Sequence, residues 1–252
     1  MKVISLVNQK GGVAKTTSVV NIACALVELG KKVLVIDIDP QGNCTTNFGF
    51  ETLEVNTVAE LLIDDKIIIE DCILETKNLH LIAADIGLAE AEFTLANKMA
   101  REFILRKKLH KLKGIYDYCL IDCPPSLSTL TLNALVASHK VYIPMMTSKF
   151  SVKGIQQLID TITAVQNYNE ELELGGVFIT SYDSRNSLAT SYLAQVQEVL
   201  TDKLLLKSKI RINIDLAKAQ DYNESIFEYN VKSNGAQDYM DLAKEILERE
   251  EK

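Results

Sequence analysis

The 252-residue chain is short of positive charge: 27 Lys and Arg stand against 34 Asp and Glu, a net charge of -7. That balance excludes a broadly basic coat for nucleic acid, though not a local basic patch. Its five cysteines, Cys24, Cys44, Cys72, Cys119 and Cys123, are odd in number and form no Cys-x-x-Cys pair. A reduced, cytoplasmic protein is expected rather than a disulfide framework. No apolar run approaches the roughly 20 residues that span a bilayer. The first residues lead straight into a strand-like run, without the basic start and apolar core of a secretory leader. The three histidines, His80, His110 and His139, are scattered without metal-ligand spacing. No linker, repeat or low-complexity segment divides the chain, and 47% hydrophobic residues suffice for one core. The expectation is one domain over residues 1–252.

Short apolar runs alternate with helical segments. The runs are Val3–Val7, Val33–Ile36, Leu79–Ala83, Tyr118–Ile121, Val141–Ile143, Val177–Ile179 and Leu204–Leu206. They are rich in β-branched residues and do not alternate cleanly, as for strands covered on both faces. Helical patterns fall at Thr16–Leu29, Ala91–Leu112, Thr129–Ser138, Val152–Tyr168, Leu188–Leu200 and Gly235–Arg249, and Gly114 and Gly175–Gly176 read as turns. The alternation predicts an α/β fold: a single doubly wound, mostly parallel sheet with helices on both faces.

Between the first strand and the first helix lies "NQKGGVAKTT", residues 8–17. A phosphate-binding loop belongs at that place, where unpaired helix N–H groups and the helix dipole favour an anion. The usual pattern is G-x-x-x-x-G-K-[ST]; here Gln9 and Ala14 replace its two glycines, and Lys10 is additional. Gly11 and Gly12 let the backbone approach phosphate oxygens. Lys15 would bridge the β- and γ-phosphates, and the Thr16 hydroxyl suits Mg²⁺. The bland alternative is a helix start that carries a lysine and binds nothing.

Two more segments bear on that choice. "VLVIDIDPQGN" (33–43) ends its strand in Asp37 and Asp39, and "YDYCLIDCPPS" (116–126) ends its strand in Asp122. In a parallel sheet all three carboxylates reach the edge that carries the loop. Hydrated Mg²⁺ needs one or two such carboxylates plus phosphate oxygens. Asp122 is then the metal-side acid and Asp39 an orienter of attacking water. Each Asp alone reads equally as a helix N-cap.

Together "QKGGVAKTT", "DIDPQGN" and "IDCPPSL" resemble the ParA/MinD superfamily of deviant Walker-A P-loop ATPases, nearest its ParA (Soj-like) partition branch. The likeness continues through "AREFILRKKL", "FITSYDSR" and "YNVKSNGAQDYMDLAKEIL". It implies a slow ATPase stimulated by a ParB-like centromere-binding protein, using ATP and Mg²⁺ and dimerising around two nucleotides. By resemblance Lys10 reaches the partner subunit's ATP, Lys15 is the loop lysine, Thr16 the magnesium ligand, Asp39 the water-positioning acid and Asp122 the Walker B acid. The nucleotide-contacting set is Lys10, Gly11, Gly12, Val13, Ala14, Lys15, Thr16, Thr17, Arg211 and Asn213. Switch segments fall at Asp39–Thr46 and Pro124–Thr131.

The chain departs from the family near its C-terminus. Where partition ATPases carry I-P-R-N, it reads Ile210-Arg211-Ile212-Asn213. Arg211 either stacks on the base or is a solvated rim charge. The family's E-A reads Lys218–Ala219, and a usual glycine is Asn223. Partition ATPases bind double-stranded DNA without sequence preference, which places a nucleoid-associated protein in the cytoplasm. The expected contacts are Lys203, Lys207, Lys209 and Lys232. A second cluster (Arg101, Arg106, Lys107, Lys108, Lys111 and Lys113) reads as the solvated face of an amphipathic helix. The rival reading is a MinD-like membrane-associated ATPase or one that positions a protein cargo. The tail "LAKEILEREEK" is too acidic to favour anionic lipid, so no membrane anchor is expected.

Overall fold

The computed structural model describes residues 1–50, 55–147, 151–200 and 203–250. Their strands are β1 (Lys2–Leu6), β2 (Val33–Asp37), β3 (Ile73–Glu75), β4 (His80–Ile82), β5 (Tyr118–Asp122), β6 (Lys140–Met146), β7 (Glu173–Tyr182) and β8 (Leu205–Arg211). The helices are α1 (Lys15–Glu28), α2 (Asn43–Asn47), α3 (Val58–Ile63), α4 (Gly87–Leu95), α5 (Ile104–Leu109), α6 (Thr129–Ala137), α7 (Ser151–Gln166), α8 (Ser187–Val199), α9 (Ile214–Asp221), α10 (Ile226–Asn230) and α11 (Asn234–Glu250).

One sheet forms in the order β3-β4-β2-β5-β1-β6-β7-β8. Every neighbouring pair is parallel except β3 with β4. Successive residues of a strand point to opposite faces, and both faces are apolar. Ile4, Leu6, Val33, Val35, Leu120, Tyr142 and Phe178 pack beneath α1 and α11. Val3, Leu34, Ile36, Cys119, Ile121, Ile143 and Ile179 pack with α3 to α8 on the other side. The expected doubly wound sheet is present. All five cysteines are buried free thiols. No helix among the described residues is long and apolar enough to cross a membrane.

Three local expectations need correction. Gly175 and Gly176 sit inside β7, not in a turn. A Cβ on Gly175 would lie 2.6 Å from the Tyr142 ring, and one on Gly176 would lie 2.3 Å from Leu206. The glycines are there so that neighbouring strands can approach. The helix expected over Ala91–Leu112 is broken. α4 stops at Leu95, Ala100 turns left-handed (φ 51), and the chain restarts in a 3₁₀ turn, Arg101–Phe103, before α5. In the basic cluster there, Lys108 is buried and donates to the carbonyls of Asp64 (3.3 Å) and Ile67 (2.5 Å), so it fastens a loop and belongs to no solvated face. Arg106 pairs with Glu171 at 3.7 Å, while Lys107, Lys111 and Lys113 are exposed.

Parallel register positions the site. Leu6 at the end of β1 is the partner of Asp122 in β5, and Asp122 is the partner of Asp37 in β2. Three strands therefore end level, beside the segment that connects β1 to α1.

Candidate functional site

The loop between β1 and α1 is held at both shoulders. Asn8 donates Nδ2 to the Pro144 carbonyl (2.8 Å) and accepts the Lys10 N–H (2.9 Å). Thr180 of β7 donates its hydroxyl to the Val13 carbonyl (3.1 Å). Between these anchors Gly12 and Ala14 are both left-handed, φ 72 and 63. Alternation of this kind turns successive N–H groups into one concavity, an anion nest. A Cβ on Gly11 or Gly12 would meet nothing within 4 Å, so the concavity is open. Ala14 holds its positive φ against a strain of roughly 1–2 kcal/mol.

Lys15 opens α1 and is 8% exposed, with Nζ 3.5 Å from the Lys10 carbonyl. Burial pulls its pKa down, opposed by Asp122, Cys123 and Asp39. Thr16 donates its hydroxyl to Asp122 Oδ2 at 2.6 Å. Asp122 is buried, and its Oδ1 has no hydrogen-bond partner among the described residues. Burial, and then repulsion from Asp37, push its pKa well above the carboxylate range. Asp37, fully buried, is pushed up to about 6 by burial. Asp39, 8% exposed, lies two residues beyond and accepts the Gln41 N–H at 3.0 Å. Three carboxylates share a corner with one buried lysine, and one carboxylate oxygen is unpaired. Such a donor set fits a hydrated divalent cation held by one hydroxyl and one or two carboxylates, with phosphate supplying the rest. No cluster of three or more His, Cys, Asp or Glu among the described residues is arranged to bind a metal without such help.

Beside the loop lies a cleft of about 210 Å³ lined by Ala14, Thr17, Thr180, Ser181, Arg211 and Asn213, among others. Asn213 caps α9, accepting the Asp215 N–H at 2.7 Å. Arg211 is tied to Asp238. Its Nε lies 3.0 Å from both oxygens of Asp238, one guanidinium NH₂ 2.6 Å from Oδ1, and its own backbone N–H 2.8 Å from Oδ2. Sequence reasoning missed Asp238, which an unexpected arginine beside a C-terminal helix with one buried carboxylate would have flagged.

The structure brings Lys10, Gly11, Gly12, Val13, Ala14, Lys15, Thr16, Thr17, Asp39 and Asp122 to one sheet edge, with Arg211 and Asn213 across the cleft. Lys10 is exposed. The lysines expected to meet DNA lie elsewhere. Lys203 and Lys207 are exposed before and along β8, the sheet's edge strand. Lys209 lies over the Tyr182 ring, 4.9 Å from its centroid. Lys232 is exposed in the turn before α11. Lysines on an edge strand also guard against strand addition.

The AAA_31 family, described as an AAA domain, matches residues 1–174. The chain is 42% identical to the sporulation initiation inhibitor protein Soj of Bacillus subtilis over 97% of its own length and 98% of that protein's. It is 37% identical to the chromosome partitioning protein ParA of Caulobacter vibrioides, covering 99% and 95%. A crystal structure described as cobyrinic acid a,c-diamide synthase from Mycobacterium smegmatis, with bound ADP and magnesium, superposes with a TM-score of 0.87. That chain is 35% identical, with 100% and 96% covered. This chain belongs to the AAA_31 family and, with it, to the ParA/MinD superfamily of deviant Walker-A P-loop ATPases, in the ParA (Soj-like) branch.

Proposed function

We propose that this chain is a DNA-partition ATPase that binds ATP with Mg²⁺, dimerises in that state, holds double-stranded DNA without sequence preference and hydrolyses ATP slowly. The observation that carries the ATPase reading is the Thr16–Asp122 pair with its unpaired Oδ1, beside Lys15 in a two-residue left-handed nest. The partition reading rests on the names of the relatives and on Lys10.

The residues divide the work. Loop N–H groups from Gly11 to Thr17 cradle the phosphates, and Lys15 leaves the Lys10 carbonyl to meet the β- and γ-oxygens. Thr16 and Asp122 would hold Mg²⁺, which would supply charge neutralisation to the phosphates. Asp39 orients the attacking water. Lys10 neutralises charge on the nucleotide of the partner subunit, as an arginine finger does for GTPases. Phosphoryl transfer needs little beyond positioning and charge stabilisation, so a site completed only by a second subunit is slow alone. A ParB-like partner then accelerates it, on the nucleoid in the cytoplasm.

Thr17, Arg211 and Asn213 border the cleft where the base sits, with Arg211 acting through its grip on Asp238. Lys203, Lys207, Lys209 and Lys232 are the proposed DNA contacts. The apolar face of α11 supports this reading over membrane attachment: Tyr239, Leu242, Ala243 and Ile246 are buried against the sheet, not turned outward. The last two tail residues, 251–252, lie outside the described residues.

The test is fluorescence anisotropy of a labelled duplex with ATP, ADP or no nucleotide, across a salt series, with anionic liposomes in parallel. Binding to duplexes of unrelated sequence only with ATP, weakening as salt rises, is expected. Each lost phosphate contact should flatten the logarithmic salt slope by about 0.9 when Lys203, Lys207 and Lys209 are neutralised. Retention by liposomes and not by DNA gives the function to membrane positioning. Binding to neither leaves an amide synthase, as the mycobacterial structure is described, the better reading.

A further inference from the structure

Beyond the phosphate loop, one threonine ties together three segments at the carboxyl edge of the sheet. Thr45 of α2 is 2% exposed. Its hydroxyl donates to Asp37 Oδ2 (2.8 Å) and accepts the Ala84 N–H (2.9 Å), and its own N–H donates to the same Asp37 oxygen (2.9 Å). The other oxygen of Asp37 accepts the Asp39 N–H at 3.1 Å. A single buried carboxylate therefore grips both ends of the Asp39–Thr45 loop. The Thr45 hydroxyl extends the grip to the chain just beyond β4. Gly42 closes the same joint: it is left-handed (φ 63), and a Cβ there would lie 3.1 Å from the Ala84 carbonyl oxygen.

Two features separate this from ordinary packing. A buried carboxylate is expensive to keep unless its hydrogen bonds are made, and those of Asp37 come from the loop that carries Asp39. In addition, none of these bonds involves residues 8–17. The clamp sets the acid, not the phosphate cradle.

We infer that Thr45 is a positioning residue for hydrolysis, fixing Asp39 against the phosphate site by bolting its loop, through Asp37, to the end of β4. This rests on the reading of Asp39 as the water-positioning acid. Thr45 touches no substrate; its effect passes through Asp37 and Asp39. Its removal should therefore split the kinetic constants, where a merely structural threonine would weaken binding and turnover together.

The experiment compares the parent with Thr45→Val, which keeps the shape and loses the hydroxyl, and Thr45→Ser, which keeps the hydroxyl. ATP turnover is read under single-turnover conditions, KM in steady state, and affinity with a fluorescent ADP. A displaced catalytic group of this kind lowers rates by up to about 10²-fold, so Thr45→Val should lose roughly 10- to 100-fold in turnover. KM and ADP affinity should stay within about threefold of the parent, as for an interaction used only in the transition state. Thr45→Ser should recover most of the lost rate. Should Thr45→Val fail to fold, Gly42→Ala strains the same joint without touching the hydroxyl and should give the same split. Parent-rate turnover in the variants, parallel loss of ADP affinity, or a serine variant no better than valine overturns the inference alone. A parent chain that binds ATP and never hydrolyses it overturns the proposed function instead, and the inference with it.

Discussion

Arg211→Ala is the sharpest probe of the cleft's far wall. The Arg211 side chain is 47% exposed and that of Asp238 only 8%. Truncation removes the guanidinium contacts to Asp238 at 2.6 and 3.0 Å and leaves that carboxylate the 2.8 Å bond from the Arg211 N–H. Breaking a fully buried pair costs about 3–5 kcal/mol, and an exposed one about 0–1 kcal/mol. One partner here is buried and the other half in water, which enters once the arginine is gone. A loss of about 2 kcal/mol follows from that intermediate burial, or roughly 4–8 °C in Tm for a chain of this length. Asp238→Ala in the same background should cost less than it does alone, with a coupling of roughly 1–2 kcal/mol. The assays are urea denaturation of the two single variants and the double variant, with ADP affinity measured on each. An Arg211→Ala chain as stable as the parent but unable to bind ADP would refute this account. It would make Arg211 a stacking group.

Lys15→Ala should abolish nucleotide binding, whereas Lys10→Ala should bind ADP nearly as the parent does and fail to dimerise with ATP. Fluorescent ADP titration and sedimentation separate the two, and ATP-driven dimers of Lys10→Ala would end its cross-subunit role. Asp39→Ala should dimerise and hold DNA while releasing phosphate ~10²–10⁴-fold more slowly; parent-rate release removes Asp39 from the chemistry. Glu245 of α11 accepts the N–H groups of Lys207 (2.9 Å) and Ser208 (2.8 Å). Burial raises its pKa, but these bonds and Arg249 outweigh it and leave the folded value below 4.5. Its stabilisation is therefore present above pH 4.5 and fades as pH falls through that lower folded value. The stability gap between parent and Glu245→Gln should be constant near neutrality and shrink in acid; a gap that widens in acid would refute the sign.

The parts of the site that were legible in the sequence are those where strand order and residue type act together. Asp122 and Asp37 could be placed at the loop's edge because apolar runs precede each and parallel strands end level. Their register with Leu6 bears that out. The backbone of Ala14 was not legible, since alanine does not announce a positive φ; only the glycine of the usual pattern hints at it. Asn223 is likewise left-handed, at φ 55. The helices α2, α3 and α10 went unseen because each spans only five or six residues, too short for an apolar period. Their capping boxes, Thr57 with Glu60 and Ser225 with Glu228, were nevertheless readable at the expected spacing. The Arg211–Asp238 and Thr45–Ala84 contacts join residues 27 and 39 positions apart, and no local pattern reports such distances.

The family match ends at residue 174, before the cleft that borders the loop has acquired its far wall. That wall comes from β7, β8 and α9, and it is joined to the matched part by the β6–β7 ladder, by apolar packing of α11 with α1 and by a few polar bonds. Thr180 holds Val13 (3.1 Å), Ser18 of α1 meets the Tyr239 hydroxyl of α11 (3.0 Å), and Asn21 accepts the Ile226 N–H (2.8 Å). Tyr239 is fully buried, so its bond to Ser18 is protected from water and fixes α11 against the helix whose start carries Lys15. The phosphate end of the site is thus built within one contiguous half from a nest, a lysine and strand-end acids, where few residue types can serve. The far end is built from another half and attached by bonds that do not involve residue 211. A change at Arg211, or at Asp238 that anchors it, leaves the phosphate loop's own bonds intact. Divergence between relatives should therefore concentrate on the cleft's far wall, and with it the choice of base, while the chemistry at the phosphates stays constant.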